Sequence, residues 1–151
     1  MIVDVHTHVF DPKTDFGPQL HADLLRCGID PSVWGDVKGD HLKNTLAADV
    51  VVVFGLQASA TGWHVPNEEV AAHVAKARHR LLFFASIDPM QPDCLEELEK
   101  CHIELGAVGV KMAPLYQNVY PTDSRCYPIY RYCVKYHLPV LFHTGTSFTA
   151  N

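Results

Sequence analysis

Asp4-Val5-His6-Thr7-His8, residues 4–8, lies inside the β-branched, apolar-rich run Ile2 to Phe10. Read as a strand, this run alternates its side chains between two faces, so Asp4, His6 and His8 share one face and Val3, Val5 and Val9 the other. A face that carries two imidazoles and a carboxylate is not one that helices cover. In a barrel of parallel strands it points inward, with His6 and His8 near the strand's C-terminal end and their Cα atoms roughly 6–7 Å apart. Two imidazoles at that separation can converge on one divalent ion at about 2.0–2.1 Å. They form a chelate that still needs further ligands.

Outward from this stretch, four more runs read as strands: Val50 to Leu56, Leu81 to Ile87, Val108 to Met112 and Pro139 to His143. A proline is admissible as the first residue of a strand. Runs with so little polar alternation suit parallel strands covered on both faces. Helix signals fall between them. Asp40 is predicted to cap a helix with Leu42 and Leu46 on one face, and Asn67 precedes Glu68 and Glu69, acids favourable at the positive end of a helix dipole. Asp93 precedes a helix through Leu95, Leu98, His102 and Leu105 that Gly106 stops. Ile129, Tyr132, Cys133 and Tyr136 recur at i, i+3, i+4 and i+7, one amphipathic face. The segment Asp11 to Gly39, rich in Pro and Gly, reads as a long first loop, and such loops carry function. Strand alternating with helix predicts right-handed βαβ units and a parallel sheet, either doubly wound or closed into a barrel.

Composition narrows the function classes. The chain has 151 residues, 12 Lys+Arg against 17 Asp+Glu, a net charge of −5 and 48% hydrophobic residues, which describes one soluble globular domain over 1–151 without repeats or linkers. Charge spread this thinly predicts no nucleic-acid partner and no membrane-surface partner, both of which need clustered Lys/Arg. The longest apolar stretch, Val50 to Leu56, is far short of the ~20 residues that span a bilayer. Asp4, His6 and His8 stand where a secretory signal would be apolar, so a cytoplasmic location is expected. The five cysteines, Cys27, Cys94, Cys101, Cys126 and Cys133, show no Cys-x-x-Cys pairing and predict reduced thiols in packed helices.

A third histidine, His143, ends the apolar run Pro139-Val140-Leu141-Phe142, after which Thr144-Gly145-Thr146 turns the chain outward. A polar residue in apolar surroundings needs a partner, and the C-terminal ends of strands in α/β folds are where ligands and metals collect. The sequence resembles the metal-dependent amidohydrolase superfamily, in its branch of amidohydrolase-related (amidohydrolase family 2) proteins that includes decarboxylases, hydratases and lactonases. Asp4-Val5-His6-Thr7-His8, Ala85-Ser86-Ile87-Asp88-Pro89, Gly109-Val110-Lys111 and Leu138-Pro139-Val140-Leu141-Phe142-His143-Thr144-Gly145 carry the resemblance, which covers nearly the whole chain. It implies a (β/α)8 TIM-type barrel of which this chain supplies about the first five strands, with His6, His8 and His143 as metal ligands. The family pattern continues with a strand-6 histidine and a strand-8 aspartate, the latter a ligand and the proton acceptor for the attacking water. Both fall beyond Asn151, so the catalytic base is expected there. At about 60% of the ~250 residues typical of such a barrel, the chain is read as the N-terminal part of a longer protein, the alternative being a second chain that completes the barrel. A homo-oligomer is compatible with either.

Other residues have competing roles. Asp4 is placed to orient an imidazole or simply to cap the strand start. Lys111 is a carbamylated metal bridge, a ligand for a substrate carboxylate, or an ordinary buried-stem lysine paired to an acid. Tyr116 is a candidate pocket wall, and Trp63-His64 either faces the pocket or lies in a surface loop. The remaining histidines, His41 and His73 among them, are read as structural or solvated. Zinc suits imidazole ligands, and manganese becomes plausible once a carboxylate joins. An ion so held keeps a position open for water and brings that water's pKa towards neutrality. The expected activity is metal-dependent hydrolysis of a C–O or C–N bond in a small-molecule substrate, carboxylated or aromatic. Non-oxidative decarboxylation or hydration on the same barrel is equally implied, and a non-catalytic half-barrel or metal-binding assembly module is the alternative of another class.

Overall fold

The computed structural model describes residues 1–146. Strand β1 (Val3–His8) connects through α1 (Pro12–Asp15), α2 (Pro18–Arg26) and α3 (Val37–Asn44) to β2 (Val50–Phe54). A short antiparallel hairpin follows, β3 (Gln57–Ala58) and β4 (Trp63–His64). The chain continues through α4 (Asn67–Ala75), β5 (Leu81–Ser86), α5 (Cys94–Ile103), β6 (Gly109–Met112), α6 (Pro114–Gln117), α7 (Tyr127–Tyr136) and β7 (Val140–Phe142).

The main sheet has the order β1-β2-β5-β6-β7, with every adjacent pair parallel. Order in space is order in the chain. A doubly wound sheet reverses at a switch point, whereas here each crossover carries helix and moves one strand further in the same direction. This topology is that of a partial (β/α) barrel. Among the described residues no helix is long and apolar enough to cross a membrane.

One side of the sheet is the helix side. Val51, Val53, Leu81, Phe83, Ala85, Val110 and Met112 pack there against Val70, Val74, Leu98, Cys101, Ile129 and Cys133. The other side carries Phe54, Phe84 and Lys111. A Cβ on Gly109 would lie 2.4 Å from Phe84 Cζ, so the glycine reserves the space that the ring fills.

Helix boundaries depart from the sequence reading in physically simple ways. The segment Asp11 to Gly39 is largely helical rather than a loop. Pro12 and Pro18 each start a helix, where the missing N–H is no loss, and Leu20 and Leu24 pack with Phe16. Asp36, not Asp40, caps α3 by accepting from the Gly39 amide at 2.7 Å. Leu46 lies beyond that helix and is exposed. Asn67 is the first residue of α4 and spends its amide on Ser86, donating to its carbonyl at 3.0 Å and accepting from its N–H at 2.9 Å. The two later helices start and stop as expected, α5 after Asp93 with Gly106 at φ 77°, and α7 with Ile129 and Cys133 buried.

Strand β1 holds the largest correction. Val3 and Asp4 stand opposite Val50 and Val51, but Thr7 and His8 stand opposite Val53 and Phe54, so β1 advances three residues where β2 advances two. The extra residue of this bulge resets the alternation. Asp4 is in register with a helix-side residue and His8 with one on the opposite side, so the two do not share a face. Nor is β1 covered on both sides among the described residues: Val3 and Val5 are exposed.

Candidate metal centre

His6 and His8 emerge from the C-terminal end of β1 after the bulge, beside Phe54 at the end of β2. Ring centroids lie 5.2 Å apart for His6 and Phe54 and 4.5 Å for His8 and Phe54, so the phenyl ring is a platform under both imidazoles. The two Nε2 atoms approach to 3.3 Å. That is close to the separation of two corners of a tetrahedron around an ion at about 2.0–2.1 Å from each nitrogen. His8 Nδ1 is buried with no hydrogen-bond partner among the described residues.

A cavity of about 230 Å³ opens over this pair, bounded by Lys111, Tyr116, His143, Trp63 and Trp34 among others. His143 is half-buried at the cavity wall, packed on Tyr116 with centroids 5.1 Å apart, and its Nε2 lies 3.2 Å from the Thr146 carbonyl. Among the described residues no three His, Cys, Asp or Glu side chains are gathered tightly enough to hold an ion. The fold thus brings two of the three expected ligands together and leaves the third lining the same cavity.

Lys111 reaches in from β6. Its side chain is buried, its Nζ sits 4.7 Å from the Phe54 centroid, and that nitrogen has no hydrogen-bond partner among the described residues. The reading of Lys111 as a lysine paired to an acid is therefore not met, because none of the cavity's lining residues is an Asp or Glu. Burial pushes the Lys111 pKa down to about 8. Burial first, then His6, Lys111 and His143, pushes His8 down to about 3, and burial with Lys111 and His143 lowers His6 against the opposing effect of Asp4. Both imidazoles are held neutral at pH 7, the form whose nitrogen can bind a metal.

Two residues expected at the site take other positions. Asp4 Oδ1 accepts from the His6 backbone amide at 3.1 Å, bracing the bulge rather than orienting a ring. His64 is exposed and borders a separate cleft of about 440 Å³ with Asp88 and Glu97, whereas its neighbour Trp63 lies between that cleft and the histidine cavity and lines both. Adjacent residues of a strand point to opposite sides, so Trp63 and His64 could not both face inward. Asp88, part of the resemblance motif, accepts from Ser59 N and Oγ at 2.7 Å each and from Met90 N at 3.0 Å, fastening the hairpin loop.

Sequence reasoning missed Phe54, Phe16, Trp34 and Gln117. Phe54 ends β2 as His8 ends β1, a parallel that strand register would have exposed. Phe16 and Trp34 lie in the segment Asp11 to Gly39, whose Pro and Gly content hides its helices. Buried Gln117 joins three strand-end segments, accepting from Ala113 N at 3.0 Å and donating to the carbonyls of Gln57 at 2.9 Å and Ile87 at 2.8 Å.

The profile of one protein family, described as amidohydrolase, matches residues 3–151. A curated relative, the 2-keto-4-carboxy-3-hexenedioate hydratase of Sphingobium sp., is 24% identical over 180 residues, spanning 97% of this chain and 53% of its own length. The chain therefore spans about half the length of that relative. An uncharacterized TIM-barrel protein from Bordetella bronchiseptica superposes with a TM-score of 0.69 at 19% identity, over 99% of this chain and 57% of the other. The 4-oxalomesaconate hydratase of Rhodopseudomonas palustris does so with a TM-score of 0.60 at 26% identity, over 95% of this chain and 52% of the other.

Proposed function

The chain belongs to the amidohydrolase family, and from that premise we propose that its histidine cavity is the metal-bearing part of an enzyme site acting on a small polycarboxylate. The observation that carries this reading is Lys111: a buried ammonium beside two metal-competent imidazoles, with no hydrogen-bond partner and no acid in the cavity lining among the described residues. Such a cavity is short of negative charge. A substrate carboxylate supplies it, with Lys111 as its counter-ion.

His6 and His8 would hold the ion, zinc or manganese, with His143 joining by turning from the Thr146 carbonyl. When bound, the ion supplies Lewis-acid polarisation of a substrate oxygen and lowers the pKa of a coordinated water. The chain's own residues do the rest. Trp63, Tyr116 and Trp34 wall the cavity, and the burial of Lys111 there strengthens its attraction for a carboxylate. Addition of water across a carbon–carbon double bond is the favoured reaction, because two relatives are named as hydratases of unsaturated carboxylates. Hydrolysis of a C–O or C–N bond is the second reading, from the family description. No proton acceptor for this reaction is assigned among the described residues.

The test uses the full-length protein. Trp63 lies 6.1 Å from His8, nearly stacked, so titration with Co²⁺ is expected to quench tryptophan fluorescence. His6→Ala and His8→Ala should abolish the quenching; unchanged quenching in both would refute the metal assignment. With a conjugated, unsaturated tricarboxylate the ultraviolet absorbance should decay as water adds. Lys111→Met is expected to raise KM about 10–100-fold, the loss of one charge-assisted contact. An unchanged KM would remove Lys111 from substrate binding.

A further inference from the structure

Behind the metal strand, on the helix side, stands a chain of three hydrogen bonds that the proposed chemistry does not use. Thr7 Oγ1 donates to the Val52 carbonyl at 2.7 Å. Its single hydrogen is thereby spent, so at the 3.0 Å contact with His41 Nε2 the hydroxyl oxygen accepts and the imidazole donates. His41 Nδ1, left without a proton in the neutral ring, accepts in turn from His73 Nε2 at 3.0 Å. Both imidazoles are buried. The His41 tautomer is fixed because both of its ring nitrogens are engaged, one by Thr7 and the other by His73. The series runs from α4 through α3 to β1 and ends on β2.

Thr7 sits between His6 and His8, on the three-residue advance that forms the bulge. That bulge aims the two imidazoles, and nothing regular holds it, since the ladder to β2 is interrupted there. We propose that His41 and His73 are positioning residues which, through Thr7, lock the bulged backbone of β1 and so set the separation of the His6 and His8 nitrogens. The proposal rests on reading His6 and His8 as a metal pair.

The experiment measures Zn²⁺ affinity of the full-length protein by competition with a chromogenic chelator, at a temperature where circular dichroism shows each variant folded. Thr7→Val keeps the side-chain volume but removes the hydroxyl, and Thr7→Ser restores it. His41→Leu removes the donor, and His41→Gln returns an N–H near the position of Nε2. Thr7→Val and His41→Leu are expected to weaken zinc binding about 10–100-fold, the scale of an outer partner that orients a ligand, with Thr7→Ser and His41→Gln recovering most of it. Should His41→Leu fail to fold, the Thr7→Val and Thr7→Ser pair decides alone. Zinc affinity within two-fold of wild type in Thr7→Val, with His6→Ala unable to bind, overturns the positioning role and leaves the metal site standing. Unchanged affinity in His6→Ala overturns both.

Discussion

At the scale of the residue, Lys111 presents an ammonium 4.7 Å from the Phe54 centroid and gives it no hydrogen-bond acceptor among the described residues. The ring's quadrupole offsets part of the cost, but burial still lowers the pKa to about 8. Replacing an unsatisfied buried charge by an apolar side chain of similar length relieves that cost. Lys111→Met is therefore expected to raise unfolding free energy by about 1–3 kcal/mol in a urea titration at pH 7. The sign with pH follows from linkage. Because the folded-state pKa lies below the unfolded one, wild type gains stability relative to Lys111→Met as pH rises from about 8 towards 10.5. A destabilised variant at neutral pH would show that Nζ has a partner after all. A residue that weakens the fold while facing the cavity is what a binding group looks like.

Elements hold the cavity open by close fits of backbone and ring. Gly109 on β6 admits the Phe84 ring from β5, and an added methyl would meet it at 2.4 Å. Gly109→Ala is expected to lower stability by about 1–3 kcal/mol through overpacking, read as a lower urea midpoint with an unchanged slope. Gln117 ties α6 to the ends of β5 and the β3–β4 hairpin. Those segments carry Tyr116 and Trp63, two walls of the histidine cavity. Gln117→Leu strands one amide and two carbonyls, so a loss of about 2–4 kcal/mol is expected, with faster hydrogen exchange at the Ala113 amide. Retained protection at that amide would show that another acceptor replaces the glutamine. The bulge in β1 belongs to this scale too: it separates Asp4 from His8 and turns the histidines towards Phe54.

For the whole molecule, two buried imidazoles join α3 and α4 to the sheet in their neutral form. Burial first, then His73 and Arg80, with Asp4 opposing, pushes His41 down to about 4; burial, Lys76, Lys38 and Arg80 lower His73. Folded-state values below the unfolded 6.5 mean that the unfolded chain binds protons first. Stability is full above pH 6.5 and falls as pH drops towards 4. Melting temperature followed by circular dichroism should decline through that window, and His41→Leu should flatten the decline. At the other extreme of size, β1 and β7 end the sheet without a neighbouring strand among the described residues, and Val3, Val5 and Val134 are exposed near these margins. Strand edges of this kind pair with other chains. Much of this was legible in one dimension. Apolar runs located the five parallel strands, and Asp93, Gly106 and the i, i+3, i+4 series located two helices, because periodicity and capping act within a few residues. His-x-His marked the cavity for the same reason. What the sequence could not state is which residues of different strands stand side by side. The bulge that parts Asp4 from the histidines, the hairpin that turns Trp63 in and His64 out, the isolation of Lys111 over Phe54 and the Thr7–His41–His73 series each join residues distant along the chain. Register and burial decide them, and both are properties of the packed sheet.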